Sequence, residues 1–246
     1  MKKGKVIAIV LSGGVGSRII SDMPKQYVKV GDRMVISYCL ETLMLHPQID
    51  ALRIVAAEEW RNPILDEMES LNIPMDKFEG FVEPGDSRQG SVVNSIKAVI
   101  DDIGFDEISD ERVLIHDAAR PCVTAEHIST IIEASEEHEG VMPALPMKDT
   151  VYLSDDGVTV TRLFEKNRIY SGHTPEVFDL KKYYNANILL VPGKIKLING
   201  SSEPAVMAGM DVAMVAGDED NFKITTMADL EKFKEIIKMR GIEKQW

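Results

Sequence analysis

The chain is short of three things that would place it in a class at once: cysteine, positive charge and long apolar runs. Its two cysteines, Cys39 and Cys122, lie among apolar neighbours without CxxC spacing. They read as free buried thiols of a reducing compartment, not as a disulfide. Lys and Arg number 28 against 40 Asp and Glu, a net charge of −12. That argues against a general nucleic-acid or anionic-membrane surface, and makes any basic cluster local and purposeful. Behind Lys2, Lys3 and Lys5 the apolar run lasts only from Val6 to Leu11. It is too short for a signal peptide or a membrane span, so the expected location is the cytoplasm. There is no internal repeat and no low-complexity linker. The rest is ordinary for a globular chain: 246 residues, 44% hydrophobic and 28% charged, enough to bury a large core.

What is present is concentrated near the start. Val6–Leu11 reads VIAIVL, a strand buried on both faces as in a parallel sheet. Ser12-Gly13-Gly14-Val15-Gly16-Ser17 follows, mostly with little or no side chain, so backbone N–H groups can approach an anion closely. The loop is not a Walker A motif, since no Gly-Lys-Ser/Thr follows, and it lacks the third small residue of a dinucleotide fingerprint. Arg18 and Lys25 place two cations close behind it, and Pro24 sets Lys25 on a fixed bend. Strand, small-residue loop and cations together suggest a nucleotide triphosphate site.

Further on, strands and helices alternate. Helices are expected at Val35–Leu45, Glu58–Leu71 and Ser91–Ile100, and strands at Ala51–Ala56, Phe78–Val82 and Arg112–His116. That order implies a mostly parallel sheet with right-handed crossovers, whose ligands bind beyond the carboxyl ends of the strands. Three polar constellations fall there: Ser12 to Arg18, the turn at Gly85 to Ser91, and Asp117 with Arg120. Asp117 either caps a following turn or binds a sugar hydroxyl or Mg²⁺. Ala118 and Ala119 leave room for a ligand, and Arg120 can orient the carboxylate. His116 reads as a packed histidine, not as a general base.

After Gly140 the pattern changes. Val141–Leu145 is one apolar strand, and Val151–Leu153 with Val158–Val160 around Ser154-Asp155-Asp156-Gly157 signals a hairpin. An antiparallel arm of this kind is often an oligomer contact, because a two-stranded ribbon is scarcely stable alone. Thr174-Pro175 precedes an expected helix, Pro204–Met210 begins another, and Val212–Val215 is a last strand. Thr226 is the expected N-cap of a helix over Met227–Met239, with Lys223 just ahead of it as a third cation.

LSGGVGSR with MPKQY, GDSRQGSV, IHDAARP, PMKDT, HTPEVF and NFKITTMADL, in that order, give the chain a resemblance over almost its whole length. It resembles the cytidylyltransferases that make CDP-activated polyol phosphates, acting on 2-C-methyl-D-erythritol 4-phosphate or on ribitol 5-phosphate. The resemblance implies an α/β, Rossmann-like nucleotidyltransferase fold: a mostly parallel sheet with helices on both faces and a protruding β-arm. It implies one domain over 1–246 with the arm at about 146–172, a homodimer formed through that arm, CTP and Mg²⁺ (or another divalent cation), and release of pyrophosphate. Ser12, Gly13, Gly14 and Gly16 would lie along the phosphates. Arg18, Lys25 and Lys223 would neutralise the transition state. Gly85, Asp86, Arg88 and Ser91 would surround cytosine and ribose, with Ala118 beside Asp117, which would hold ribose or the metal. Thr150, Lys166, Arg168 and Thr174 would meet the acceptor, Thr150 reaching into the other subunit. A phosphate monoester is already a nucleophile, which accounts for the absence of a nucleophile–base pair in the sequence.

The departures fall on the acceptor side. Lys166 stands where the methylerythritol enzymes usually carry an arginine, and lacks its bidentate fork, which Arg168 can supply. Glu176 replaces the usual Gln after Thr-Pro, and Asn199-Gly200-Ser201-Ser202 replaces a Thr-Asp-Asp/Glu stretch. LSGG is similar to the ribitol branch and HDAARP to the methylerythritol branch. Methylerythritol phosphate is the leading expected acceptor and ribitol 5-phosphate or another polyol phosphate the nearest rival. A non-catalytic nucleotide-binding protein and a sugar-1-phosphate transferase using UTP or GTP are the more distant alternatives.

Overall fold

The computed structural model describes residues 4–14, 23–191 and 193–241. Its organising strand is β1 (Val6–Leu11), whose alternate residues enter two different cores. Val6, Ala8 and Val10 join one cluster, and Ile7 and Ile9 the other, so both faces are dry. A continuous apolar run is what a central parallel strand requires. After β1 come the two-residue strands β2 (Lys29–Val30) and β3 (Arg33–Met34), which pair with each other, then α1 (Val35–Leu45), β4 (Ala51–Val55), α2 (Glu58–Ser70) and β5 (Phe78–Val82).

The helix α3 (Arg88–Ile103) starts three residues earlier than the apolar period suggests, because the Ser87 side chain caps it by accepting from the Gly90 N–H. Then follow β6 (Arg112–Asp117), α4 (Ala125–Ala134) and β7 (Gly140–Pro146). Helix α4 was missed in the sequence, although Thr124 caps it and Ile128, Ile131 and Ile132 make its buried stripe. The order β5-β4-β1-β6 is parallel throughout, with Val10 beside Ile54 on one side and His116 on the other.

Beyond β6 the sheet turns mixed. After the hairpin strands β8 (Tyr152–Leu153) and β9 (Arg162–Leu163) come β10 (Tyr170–Gly172) and β11 (Glu176–Asp179). Strand β11 runs antiparallel to β6 and β7, and β10 antiparallel to β7. The helix expected straight after Thr174-Pro175 is therefore displaced: β11 comes first, and α5 (Leu180–Ile188) begins at the Asp179 cap. The chain ends with α6 (Ser202–Met207), β12 (Val212–Ala216), parallel to β7, and α7 (Met227–Met239) under a Thr226–Asp229 capping box.

Helices cover both faces of this sheet, as expected. Leu40 and Leu43 of α1, Met68 of α2 and Ile131 of α4 pack on one side. Val92 and Ile96 of α3 and Tyr183 of α5 pack on the other, with Phe178 stacked on Tyr183 at 4.1 Å between ring centres. Each fully buried aliphatic side chain contributes about 1.5–3 kcal/mol, so the two layers fix the position of every strand end.

The hairpin register differs from the expected one. Tyr152 pairs with Leu163 and Leu153 with Arg162, while Val158–Val160 lie in the connection. Asp156 is the cause: its carboxylate accepts from the Val158 and Thr159 N–H groups and from the Ser154 and Thr159 hydroxyls. Those local bonds outcompete the β-propensity of Val-Thr-Val. No described helix is long and apolar enough to cross a membrane.

Candidate active site

The carboxyl ends of β1, β4, β5 and β6 meet at one edge of the sheet. There the main chain of Ser12 donates to the Val55 carbonyl at 3.0 Å, and the Ser12 hydroxyl donates to the same carbonyl at 2.6 Å. Gln26 then takes both neighbouring acceptors: its amide donates to the Ser12 carbonyl at 2.5 Å and to the Gly14 carbonyl at 2.8 Å. Tyr27 adds a hydroxyl to the Ser12 carbonyl at 3.0 Å. The Ser12 and Gly14 carbonyls are thus occupied from one side. Gly13 is forced by space as well, since a Cβ there would lie 2.7 Å from the Pro84 ring. Lys25 is half-buried on the same short helical turn as Gln26. Gly16 and Arg18 lie outside the described residues.

The turn before α3 is equally constrained. A Cβ on Gly85 would meet the Gly90 carbonyl carbon at 2.5 Å, so only glycine permits the backbones to approach. Ser91 closes the turn: its hydroxyl accepts from the Gly85 N–H at 3.0 Å and donates to the Ser87 carbonyl at 3.1 Å. Asp86 points outward and pairs with Lys196 at 3.1 Å. Of the residues picked out in this turn, Arg88 is the one that reaches inward.

Arg88 meets Asp117, the last residue of β6. Its Nε and terminal nitrogen lie 3.0 and 2.9 Å from Asp117 Oδ1. Lys223 approaches Oδ2 at 2.8 Å, and Arg120 stands 4.0 Å from the same oxygen. Burial alone would raise the Asp117 carboxyl, but Arg88 first, then Lys223 and Arg120, hold it well below the usual carboxylate range. The backbone supports the cluster: the Asp117 N–H donates to the Thr174 hydroxyl at 3.1 Å, and Ala118 is fully buried with its N–H on the Leu11 carbonyl. Arg120 is anchored on the Asn221 carbonyl at 2.9 Å, while Asn221 donates to the Thr174 carbonyl at 2.9 Å.

These three cations differ in freedom. Arg88 also donates to the Ser201 hydroxyl at 2.8 Å, and Arg120 has its carbonyl anchor. Lys223 makes no other ion pair among the described residues, and 35% of its side chain is exposed. It is the cation that Asp117 can give up to a phosphate. His116, beside Asp117, is a packed histidine: Nε2 lies 3.0 Å from the Arg120 carbonyl, and burial pushes it down to about 4, so it stays neutral.

The structure thus brings together Ser12, Gly13, Gly14, Gly85, Arg88, Ser91, Asp117, Ala118, Thr174 and Lys223 around one edge. It does not bring Thr150, Lys166 or Arg168 to them. All three are exposed between β7 and β10, where Arg168 lies 3.7 Å from Glu165. Gln26 and Asn221 were missed as parts of the site, and Glu176, expected on the acceptor side, lies buried in the field of Arg88 and Asp117. The Gln26 signal was legible in Pro24-Lys25-Gln26, a long amide fixed behind a proline. Glu176 is 4% exposed, and the Ser201 and Ser202 hydroxyls favour its charged form against burial. Among the described residues no three His, Cys, Asp or Glu side chains converge as metal ligands.

Comparisons with known proteins identify the family. Residues 6–239 match the family model for 2-C-methyl-D-erythritol 4-phosphate cytidylyltransferase (IspD). The enzyme of that name from Vibrio atlanticus is 31% identical over 226 residues, covering 92% of each chain. The ribitol-5-phosphate cytidylyltransferase of Lacticaseibacillus paracasei is 26% identical over 239 residues, covering 96% of this chain and all of its own. The crystal structure of 4-diphosphocytidyl-2C-methyl-D-erythritol synthase from Anaerococcus prevotii superposes with a TM-score of 0.80 at 25% identity, covering 96% of each chain. The buried Asp117 cluster beside a Gly-rich loop therefore stands in a Rossmann-like nucleotidyltransferase fold, and the chain belongs to the 2-C-methyl-D-erythritol 4-phosphate cytidylyltransferase family.

Proposed function

We propose that the chain transfers CMP from CTP to the phosphate of 2-C-methyl-D-erythritol 4-phosphate. The single observation that carries the site assignment is Asp117, held between Arg88 and the half-exposed Lys223 at the carboxyl end of β6. An oxygen of the acceptor phosphate attacks the α-phosphorus in line. The new P–O bond forms as the bond from the α-phosphorus to the oxygen bridging to the β-phosphorus breaks, and pyrophosphate leaves. No proton needs removing from a phosphate dianion, so catalysis consists of positioning and charge stabilisation.

The loop at Ser12, Gly13 and Gly14 lies along the triphosphate, with Gly16 and Arg18 continuing it in sequence, and Lys25 balances the leaving pyrophosphate. Gly85, Asp86, Arg88 and Ser91 shape the cytidine side, with Ala118 beneath it. Lys223 moves from Asp117 to the phosphates, leaving that carboxylate for the ribose. The Asp117 carboxylate is already engaged by cations, and the described residues do not build a resident metal site. A divalent cation such as Mg²⁺ enters as part of the nucleotide substrate, held chiefly by phosphate oxygens.

Thr174 supports the acceptor side from within the chain, whereas Thr150, Lys166 and Arg168 serve a second copy. The exposed Tyr152, Leu153 and Leu163 favour a homodimer through this arm. The composition, with two buried free cysteines, favours a cytoplasmic location. Ribitol 5-phosphate is the second reading, favoured by Lys166 and the Asn199–Ser202 stretch together with the full-length ribitol relative. The deciding experiment offers both acceptors side by side with CTP and Mg²⁺ and measures pyrophosphate release. Preference for methylerythritol phosphate supports the first reading and preference for ribitol phosphate the second; release with neither overturns both.

A further inference from the structure

Strand β11 puts Glu176 opposite Ile115 of β6, and Asp117 lies two residues beyond Ile115. The side chains at all three positions therefore share one face of the sheet, the face that α3, α5 and α6 cover. Two carboxylates stand diagonally on adjacent strands with the Arg88 guanidinium between them. Arg88 grips Asp117 through Nε and one terminal nitrogen, and sends the other terminal nitrogen to the Ser201 hydroxyl at 2.8 Å. Ser201 is itself fixed, because its carbonyl accepts from the Tyr183 hydroxyl at 2.7 Å. Having accepted from Arg88, its hydroxyl has one proton to give, and the buried carboxyl whose charged form that hydroxyl favours is Glu176. The result is a directed chain, Arg88 to Ser201 to Glu176 on one side and Arg88 to Asp117 on the other.

We propose that Glu176 is a positioning residue for nucleotide binding: through Ser201 it locks the Arg88 guanidinium on Asp117, so that Lys223 and not Arg88 is released to the substrate phosphates. The inference rests on the cytidylyltransferase reading of the site. It also explains why Ser201 and Ser202 stand at the start of α6. With hydroxyls there, the second negative charge facing Arg88 comes from β11.

Burial pushes the Glu176 carboxyl up to about 7, with Arg88 opposing that rise and Asp117 adding to it. The other ionisable groups in its field are Arg120, in the turn after β6, and Tyr183 of α5. At pH 8 the fold thus carries a buried negative charge that a neutral amide would not. Glu176→Gln should therefore melt higher than wild type at pH 8, with the difference shrinking towards pH 5. It should also bind CTP less tightly. A residue kept only for stability would lose both.

The test measures CTP·Mg²⁺ affinity by titration calorimetry, melting at pH 5 and pH 8, and pyrophosphate release, all on the full chain. Glu176→Gln and Ser201→Ala should each weaken CTP binding about tenfold, the scale of one charge-assisted link. The double variant should be no weaker than the worse single, because both break the same chain. Glu176→Gln combined with Ser201→Asp should restore affinity to within about threefold, since the new carboxylate stands where Arg88 already donates. Unchanged CTP affinity, a multiplicative loss of about a hundredfold in the double variant, or a lower melting point of Glu176→Gln at pH 8 would each overturn the proposal. A wild-type chain that releases no pyrophosphate with any polyol phosphate breaks the functional reading instead, and the order of CTP affinities still decides the role of Glu176.

Discussion

The site edge and the hairpin excursion are built on opposite plans. Around Asp117 polar groups are buried and tied together, each fixed by partners from several distant segments. Between β7 and β10 the hairpin strands, Thr150 and the candidate cations are exposed, and the apolar Tyr152, Leu153, Val158, Val160 and Leu163 face outward with them. Among the described residues, the first region finds its partners within one chain; the other has the composition of a surface waiting to be covered. The lesson is that one copy satisfies the polar groups around Asp117, whereas it leaves the apolar side chains of the arm uncovered.

The sharpest way to break this contrast is to remove the centre of the buried region. Asp117→Ala leaves Arg88, Lys223 and Arg120 crowded without their carboxylate. Loss of one partner from a buried ionic cluster costs about 3–5 kcal/mol. For a chain of this length that lowers the melting temperature by roughly ten degrees or more. Pyrophosphate release should fall by about two to three orders of magnitude. Near-normal turnover would remove Asp117 from the site.

An equally drastic change on the arm should do something different. Leu163→Asp replaces a side chain that is 61% exposed. Within one chain that should alter stability by no more than about 0.5 kcal/mol. Across a two-fold interface it buries an unpaired charge, so sedimentation should show a shift from dimer to monomer, with a rise in the KM for the acceptor. A variant that sediments as wild type would show that the arm is not the seam between copies.

The smallest effects separate the two carboxylates on the shared sheet face. The Asp117 carboxyl is depressed in the fold. Its stabilising contribution is therefore present above its ordinary value of 3.8 and is lost as pH falls below that. Glu176 is raised, from 4.5 to about 7. Its contribution is full below about 4.5 and fades as pH climbs to about 7. Thermal melting from pH 4 to 8 should thus slope downward between about pH 4.5 and 7 in wild type, level off above that, and flatten throughout in Glu176→Gln. Parallel slopes in the two chains would place the titration elsewhere.

Much of the parallel half of the fold was legible because its signals are local. Val6–Leu11 is apolar without a break, Val113–Ile115 is a short apolar run ahead of His116, and Phe78–Val82 carries three apolar residues before Pro84-Gly85. The mixed half was harder. Glu176–Asp179 has four residues and a charge at each end, and becomes a strand only because Ile115, Leu114 and Val113 wait beside it. Val158-Thr159-Val160 has the composition of a strand but surrenders it to the Asp156 carboxylate. In the site, single residues such as Asp117 and Lys223 stood out by type and position. The Glu176–Ser201–Arg88 chain did not, because it joins positions far apart in sequence through contacts that no spacing rule encodes.

Gln26 has a consequence for what the Gly-rich loop can tell apart. A loop of small residues offers a visitor either end of the peptide dipole, and so is neutral in its preference until something chooses. By occupying two carbonyls, one side-chain amide a dozen positions downstream makes that choice, biasing the cavity against cations and towards anions. The sign of the guest is set from behind the wall, by a residue that need never touch it.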